Sequence, residues 1–246
     1  MQFLEAKQAL ARKLDINYSD IANDGLWTDT DLGALIQFGV LKAWDYKPWP
    51  FTQAVKTATT LVGVDYYDHP QDLMAGSINF MQVGGKQYRK LSMPAYLQYF
   101  QRFPNGTDRI WAEQQSFIFI NKNSYSQGVD TFDLYGKKLA PELSNTTDLL
   151  PFSPISDSEE HSGNEAIVQL AYAEALDSEK KKNPQAAELE RKKAYFTLDL
   201  LWKPFADEIS RQNQIGRPMF EVPSFFWRGY NPTGYPIGNF PFWDRP

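Results

Sequence analysis

The last 31 residues, Gly216 to Pro246, constrain this chain more than any other stretch: they hold nine aromatics, six prolines and four glycines, with neither a helix period nor a strand period. Prolines withhold the donors that a central strand needs and interrupt helices. Rings of this size each gain about 1.5–3 kcal/mol on leaving water. A segment that must bury its rings but cannot pair its own backbone is expected to lie extended along a surface, its own or a neighbouring subunit's. The partner-interface anchors of this arm, taken as residues 213–246, are Phe220, Phe225, Phe226, Trp227, Tyr230, Tyr235, Phe240, Phe242 and Trp243.

Upstream of the arm there is ample material for a core, 42% of the 246 residues being hydrophobic and 22% charged. The absence of cysteine removes disulfides, thiolate metal sites and a cysteine nucleophile. No run approaches the roughly 18 apolar residues of a membrane span, and the charged start MQFLEAKQALARKL is unlike a secretory signal, so a chain without membrane or export targeting is expected. A formal charge of −5 argues against a strong electrostatic grip on nucleic acid or anionic lipid.

Phe3, Ala6, Leu10 and Leu14 share one helical face. Thr28 to Asp31 supplies a cap and first-turn acids for a second helix, which Lys47-Pro-Trp-Pro50 stops. From Phe51 to about Leu143 the texture changes to short β-type runs between turn residues, with Gly84-Gly85 marking a two-residue hairpin and Ser92-Met-Pro94 a helix start. Helix returns after Pro154 with a stripe of small residues, Ile167, Leu170, Ala171 and Ala175. Asn183-Pro184 opens a last helix, whose Leu189, Phe196, Leu200, Leu201 and Phe205 are expected to face the core and which Pro204 is expected to kink or end. The fold expected is α+β: a helical bundle of the N-terminal and C-terminal helix pairs (1–50 and 150–212), an inserted small antiparallel β-module (51–149), and the extended C-terminal arm.

No catalytic constellation emerges, so no enzyme activity and no metal or cofactor is expected. His69 lies in a turn before proline and His161 beside two glutamates; neither has zincin spacing or a nucleophile elbow to serve. Gly84-Gly-Lys86 is no phosphate loop, because Phe80 and Gln87 replace the glycine and the hydroxyl it needs. Glu113, Asp130, Asp133 and Glu142 are read as solvated acids, although two carboxylates beside an aromatic platform such as Tyr96, Tyr99, Phe100 and Phe103 would suit a glycosidase or glycan-binding module. Lys180, Lys181 and Lys182 read as a solvated loop.

The order of parts resembles the head-to-tail adaptor, or connector, proteins of tailed bacteriophages. The likeness rests on the helix Phe3 to Leu14, the element Trp44-Asp-Tyr-Lys-Pro-Trp49, the turn Tyr67-Asp-His-Pro-Gln-Asp-Leu73, and Leu149-Leu-Pro-Phe-Ser-Pro154 leading into the alanine-rich helix from Glu165 to Leu176. It spans roughly residues 1 to 212. The resemblance implies a virion structural protein assembled in the host cytoplasm. It would form a homo-oligomeric ring, usually a dodecamer, that joins the portal protein to tail or nozzle proteins and surrounds the DNA exit channel. DNA would be passing cargo. Another tail-tube or ring layer of the virion is the neighbouring possibility, and the long aromatic arm departs from the short tails of simpler members.

Overall fold

The computed structural model describes residues 1–23, 25–153 and 157–214. Among these are five α-helices: α1 (Phe3–Lys13), α2 (Asp29–Tyr46), α3 (Met93–Arg102), α4 (Asp157–Asp177) and α5 (Pro184–Gln214). Seven strands accompany them: β1 (Gln53–Thr59), β2 (Tyr66–Asp68), β3 (Phe80–Val83), β4 (Lys86–Leu91), β5 (Ile110–Gln114), β6 (Phe117–Ile120) and β7 (Thr131–Lys137). The chain divides into two compact units, one of Met1–Pro50 with the chain from Ala140 through α5, the other of Phe51–Leu139.

In the helical unit, local signals set the helix ends. Thr28 caps α2 by accepting the Asp31 N–H at 3.1 Å while the Asp31 carboxylate accepts from the Thr28 N–H at 2.9 Å, a reciprocal capping box. Lys47, forced extended by Pro48, ends that helix. Helix α4 packs on α1, α2 and α5. Its small residues permit this: a Cβ on Gly39 of α2 would lie 2.4 Å from the Ile167 carbonyl oxygen of α4, so the two backbones touch where only glycine fits. Trp49 is fully buried, donates from Nε1 to the Ala43 carbonyl at 2.8 Å, and stands edge-on to Phe152 and Trp202.

Helix α5 does not end at Pro204, and its buried face differs from the one expected. It runs through Pro204 to Gln214, with Trp202 and Phe205 on either side of the proline both packed edge-on against Trp49. Its buried face is Ala187, Ala194, Leu198 and Trp202, not the stripe of Leu189, Phe196 and Leu200, which points outward. Two alanines let α5 approach the alanine-rich α4 closely, and the larger residues are left outside.

One half-buried ion pair links the first two helices. Lys7 of α1 is buried, donates to both carboxylate oxygens of Asp29 at 2.8 and 2.7 Å, and lies over the Phe3 ring. Burial pulls the Lys7 ammonium down, but its bond and attraction to Asp29 outweigh this and leave it raised. Burial likewise works to raise the Asp29 carboxyl, and the bonds from Lys7 and Tyr18 bring it below its ordinary value. A depressed carboxyl stabilises the fold above its unfolded pKa of about 4 and loses that contribution as pH falls through the lower folded value. The stability difference between wild type and Asp29→Asn is therefore expected to stay constant from about pH 5 to 8 and to shrink below about pH 4 in acid unfolding curves.

The second unit overturns the expected small antiparallel module. It is a seven-stranded mixed sheet in the order β1-β7-β3-β4-β5-β6-β2. Strands β4 and β5 are parallel, pairing Arg89 with Ile110 and Leu91 with Ala112, because α3 lies between them in sequence and carries the chain back to the starting end. The single Thr- and Val-rich run from Thr52 to Tyr67 becomes two strands on opposite edges, β1 against β7 and β2 against β6. The hairpin at Gly84-Gly85 forms as read, with φ of 55° and 72°. One face carries the main core of Ile78, Met81, Tyr88, Trp111, Ile118, Ile120, Phe132 and Leu134. The other carries α3, whose Tyr96 covers Ile110 and Ala112.

Candidate functional site

The flagged titratable residues of the sheet unit are held inside the structure. Glu113, read as a solvated acid, is buried to 4% exposure and accepts from Lys90 Nζ at 2.8 Å and from the Gly76 N–H at 2.7 Å. Its Oε1 lies 3.2 Å from His69 Nε2, close enough for charge attraction, although the ring is off-line for a good hydrogen bond. The other ring nitrogen, Nδ1, sits 2.9 Å from the Pro70 carbonyl. Lys90 also donates to the Ile78 carbonyl and stands over the Trp111 ring. Alternation gives the signal that sequence reading missed: Glu113 follows Trp111 by two residues and Lys90 follows Tyr88 by two, so both share a face with core residues. His69 borders a shallow depression of about 410 Å³ with Gln71, Leu73 and Gln115, yet both of its nitrogens face protein oxygens. The cluster fastens the turn at His69, the loop at Gly76 and two strands; it aims no reactive atom at the depression.

The other acids have similar work. Asp130 accepts the Ser126 N–H at 2.7 Å beside the Gly84 turn, and Asp133 accepts the Thr57 hydroxyl across the β1–β7 ladder. Glu142 is exposed. Lys180 bonds Asp31 at 2.8 Å and lies over the Trp27 ring, anchoring the α4–α5 connection to the start of α2 instead of being free in solvent. That bond, followed by those from Thr28, keeps the Asp31 carboxyl below its ordinary value. His161 falls within α4. Among the described residues no group of three or more His, Cys, Asp or Glu could hold a metal ion, and no helix is long and apolar enough to cross a membrane.

Among the described residues each unit carries an exposed apolar surface. On α5, Leu189, Phe196 and Leu200 are 54%, 64% and 55% exposed and, at spacings of seven and four residues, fall within roughly 40° of arc on one helical face. On the sheet unit a ladder of seven rings runs across the α3 face. Phe117 meets Tyr66 at 5.8 Å, Tyr66 meets Phe119 at 6.3 Å, and Phe119 meets Tyr96 at 6.2 Å. Tyr96, Phe100, Tyr99 and Phe103 continue it at 5.0, 5.2 and 5.5 Å. The middle is buried, and burial together with nearby Asp65 pushes the Tyr96 hydroxyl up. Both ends are open, with Phe117 and Tyr66 at 39% and 54% exposure at one and Phe103 at 56% at the other. The four α3 aromatics were legible as a group; Tyr66, Phe117 and Phe119 were not singled out, although Phe117 and Phe119 alternate with the core residues Ile118 and Ile120.

The nine arm anchors, Phe220 to Trp243, lie outside the described residues. No curated protein matches the sequence. The family model described as SU10 adaptor protein matches residues 1–216, ending where the arm begins. An all-structural use of its buried charges, outward-facing apolar surfaces on both units and this match over most of its length lead to one assignment: the chain belongs to the SU10 adaptor protein family, phage head-to-tail adaptors of the kind its sequence resembles.

Proposed function

We propose that the protein is the subunit of a homo-oligomeric ring of about twelve copies that joins portal to tail and surrounds the DNA exit channel. The observation that carries this reading beyond family membership is the outward stripe Leu189, Phe196 and Leu200 on α5. Three large apolar side chains in register on a long helix match the apolar seam by which helices associate, and a ring supplies a neighbour for every copy. The formal charge of −5 suits a wall past which phosphates slide, where a basic lumen would retain them. The subunit would assemble in the host cytoplasm and remain in the virion as a structural component, with no catalytic step assigned to it.

Mass photometry or negative-stain imaging of the purified chain, alone and with a portal protein, tests the ring. Closed rings are expected, and Phe196→Ser is expected to raise the concentration needed for assembly by at least about tenfold, equivalent to about 1.4 kcal/mol per contact. Rings that form equally well with Phe196→Ser would remove α5 from the contact. A strict monomer that ignores the portal and turns over a glycan would end the adaptor reading.

A further inference from the structure

The ladder Phe117–Tyr66–Phe119–Tyr96–Phe100–Tyr99–Phe103 is a surface without an assigned occupant. We propose that it is the receptor for the C-terminal arm, residues 216–246, delivered by a second copy of the chain. This inference rests on the ring reading for the identity of the donor, but the pairing of arm with ladder stands on its own chemistry.

Four observations support that occupant. First, α5 ends at Gln214 and 32 residues follow it, a length that spans up to about 105 Å when extended, enough to reach another subunit. Second, the composition is complementary. Proline-rich extended segments are recognised by aromatic-lined surfaces, since their rings offer flat apolar faces and their backbones are already stiff. The arm has six prolines spaced among nine aromatics, and the ladder exposes rings at its two ends, Phe117 and Tyr66 at one and Phe103 at the other. Third, charge agrees. Asp68 ends the edge strand β2 two residues after Tyr66, and Asp65, just before the strand, lies 3.7 Å from Lys122; the arm carries three arginines against two acids and places Arg228 directly after Trp227. Fourth, Trp227-Arg228 and Trp243 with Arg245 are pairs of the residue types that dominate inter-chain hot spots. The arm also begins where the family match ends.

The experiment uses a fluorescently labelled synthetic peptide of residues 216–246, titrated with the full-length protein at concentrations where it is monomeric, with anisotropy as the readout. Saturable binding is expected, weakened at least about tenfold by Tyr66→Ser combined with Phe117→Ser. A thermal transition measured alongside reports whether that variant folds; if it does not, Phe103→Ser at the opposite open end of the ladder replaces it, with the same expected loss. No binding to the wild-type chain, whether because the ladder does not take the arm or because the subunit's own arm already fills it, overturns the proposal. Binding unchanged by these substitutions overturns it too. Neither result depends on ring formation, which is read separately by particle mass.

Discussion

Replacing Lys90 with methionine is expected to destabilise the sheet unit by about 3–5 kcal/mol, because it leaves a nearly inaccessible carboxylate without its cation. Glu113 would keep the Gly76 N–H and the off-line imidazole of His69, neither of which replaces an ammonium at 2.8 Å. The methionine retains much of the stem's contact with Trp111, so the loss reads out charge more than packing. The double variant Lys90→Met with Glu113→Leu is expected to be more stable than Lys90→Met alone, since an apolar pair needs no compensation there. Urea unfolding of wild type, Lys90→Met, Glu113→Leu and the double variant checks this as a double-mutant cycle. A cost under about 1 kcal/mol for the single change would mean that water reaches Glu113 and that the cluster is not a buried staple.

An effect of similar size is expected in the helical unit, where Trp49→Ala should cost about 3–5 kcal/mol. Trp49 sits at the meeting point of the α2 exit, Phe152 and the α5 pair Trp202 and Phe205, and no part of it reaches solvent. Removing it opens a cavity under the stretch of α5 that contains Pro204. The helix already lacks a hydrogen bond there, so the C-terminal turns of α5 should lose exchange protection before the rest of the unit does. Trp49→Phe, which keeps most of the packing but drops the bond to the Ala43 carbonyl, should cost about 1–2 kcal/mol. Equal stability of Trp49→Ala and wild type in denaturant titration would show that this aromatic cluster is not what holds α5 in place.

What the sequence revealed about the fold came from signals that act over a few residues. Thr28 with Asp31, the glycines at 84 and 85, Ser92 ahead of Met93-Pro94, and Asn183 ahead of Pro184 each fix a local backbone path, and each is found in the structure. Pairing partners are a different matter. Nothing near Tyr66 says that its strand pairs with Phe119 on the far edge from β1, and nothing in Ile110 to Gln114 declares a parallel neighbour; both follow from how α3 carries the chain across the sheet. The outward stripe of α5 was misassigned for a related reason. Leu189, Phe196 and Leu200 make the more apolar of two faces, but the alanine-rich surface of α4 accepts only the slimmer one. Glu113 was read as solvated and Lys90 was not singled out because composition marks them as surface residues, while strand alternation, a weaker signal, places them on the core face.

The helical unit is discontinuous in sequence: α1 and α2 precede the sheet unit, and the α4 they pack against follows it. During synthesis the first two helices leave the ribosome more than a hundred residues ahead of α4, which at about 5–20 residues per second is a wait of roughly 5–20 s. Over that interval α4 is not yet there to cover Ile36 and Val40, and α1 and α2 have the Lys7–Asp29 pair and the packing of Phe3 on Gly33 between them. The sheet, by contrast, holds both ends of its own β1–β7 pairing and can close as soon as Lys137 is free, so the middle of the chain is complete before its beginning is. Only then does the arrival of α4 and α5 bury the first helices, which puts the outward face of α5 late in the order of folding. Contacts between copies that use that face are therefore withheld until each subunit is finished.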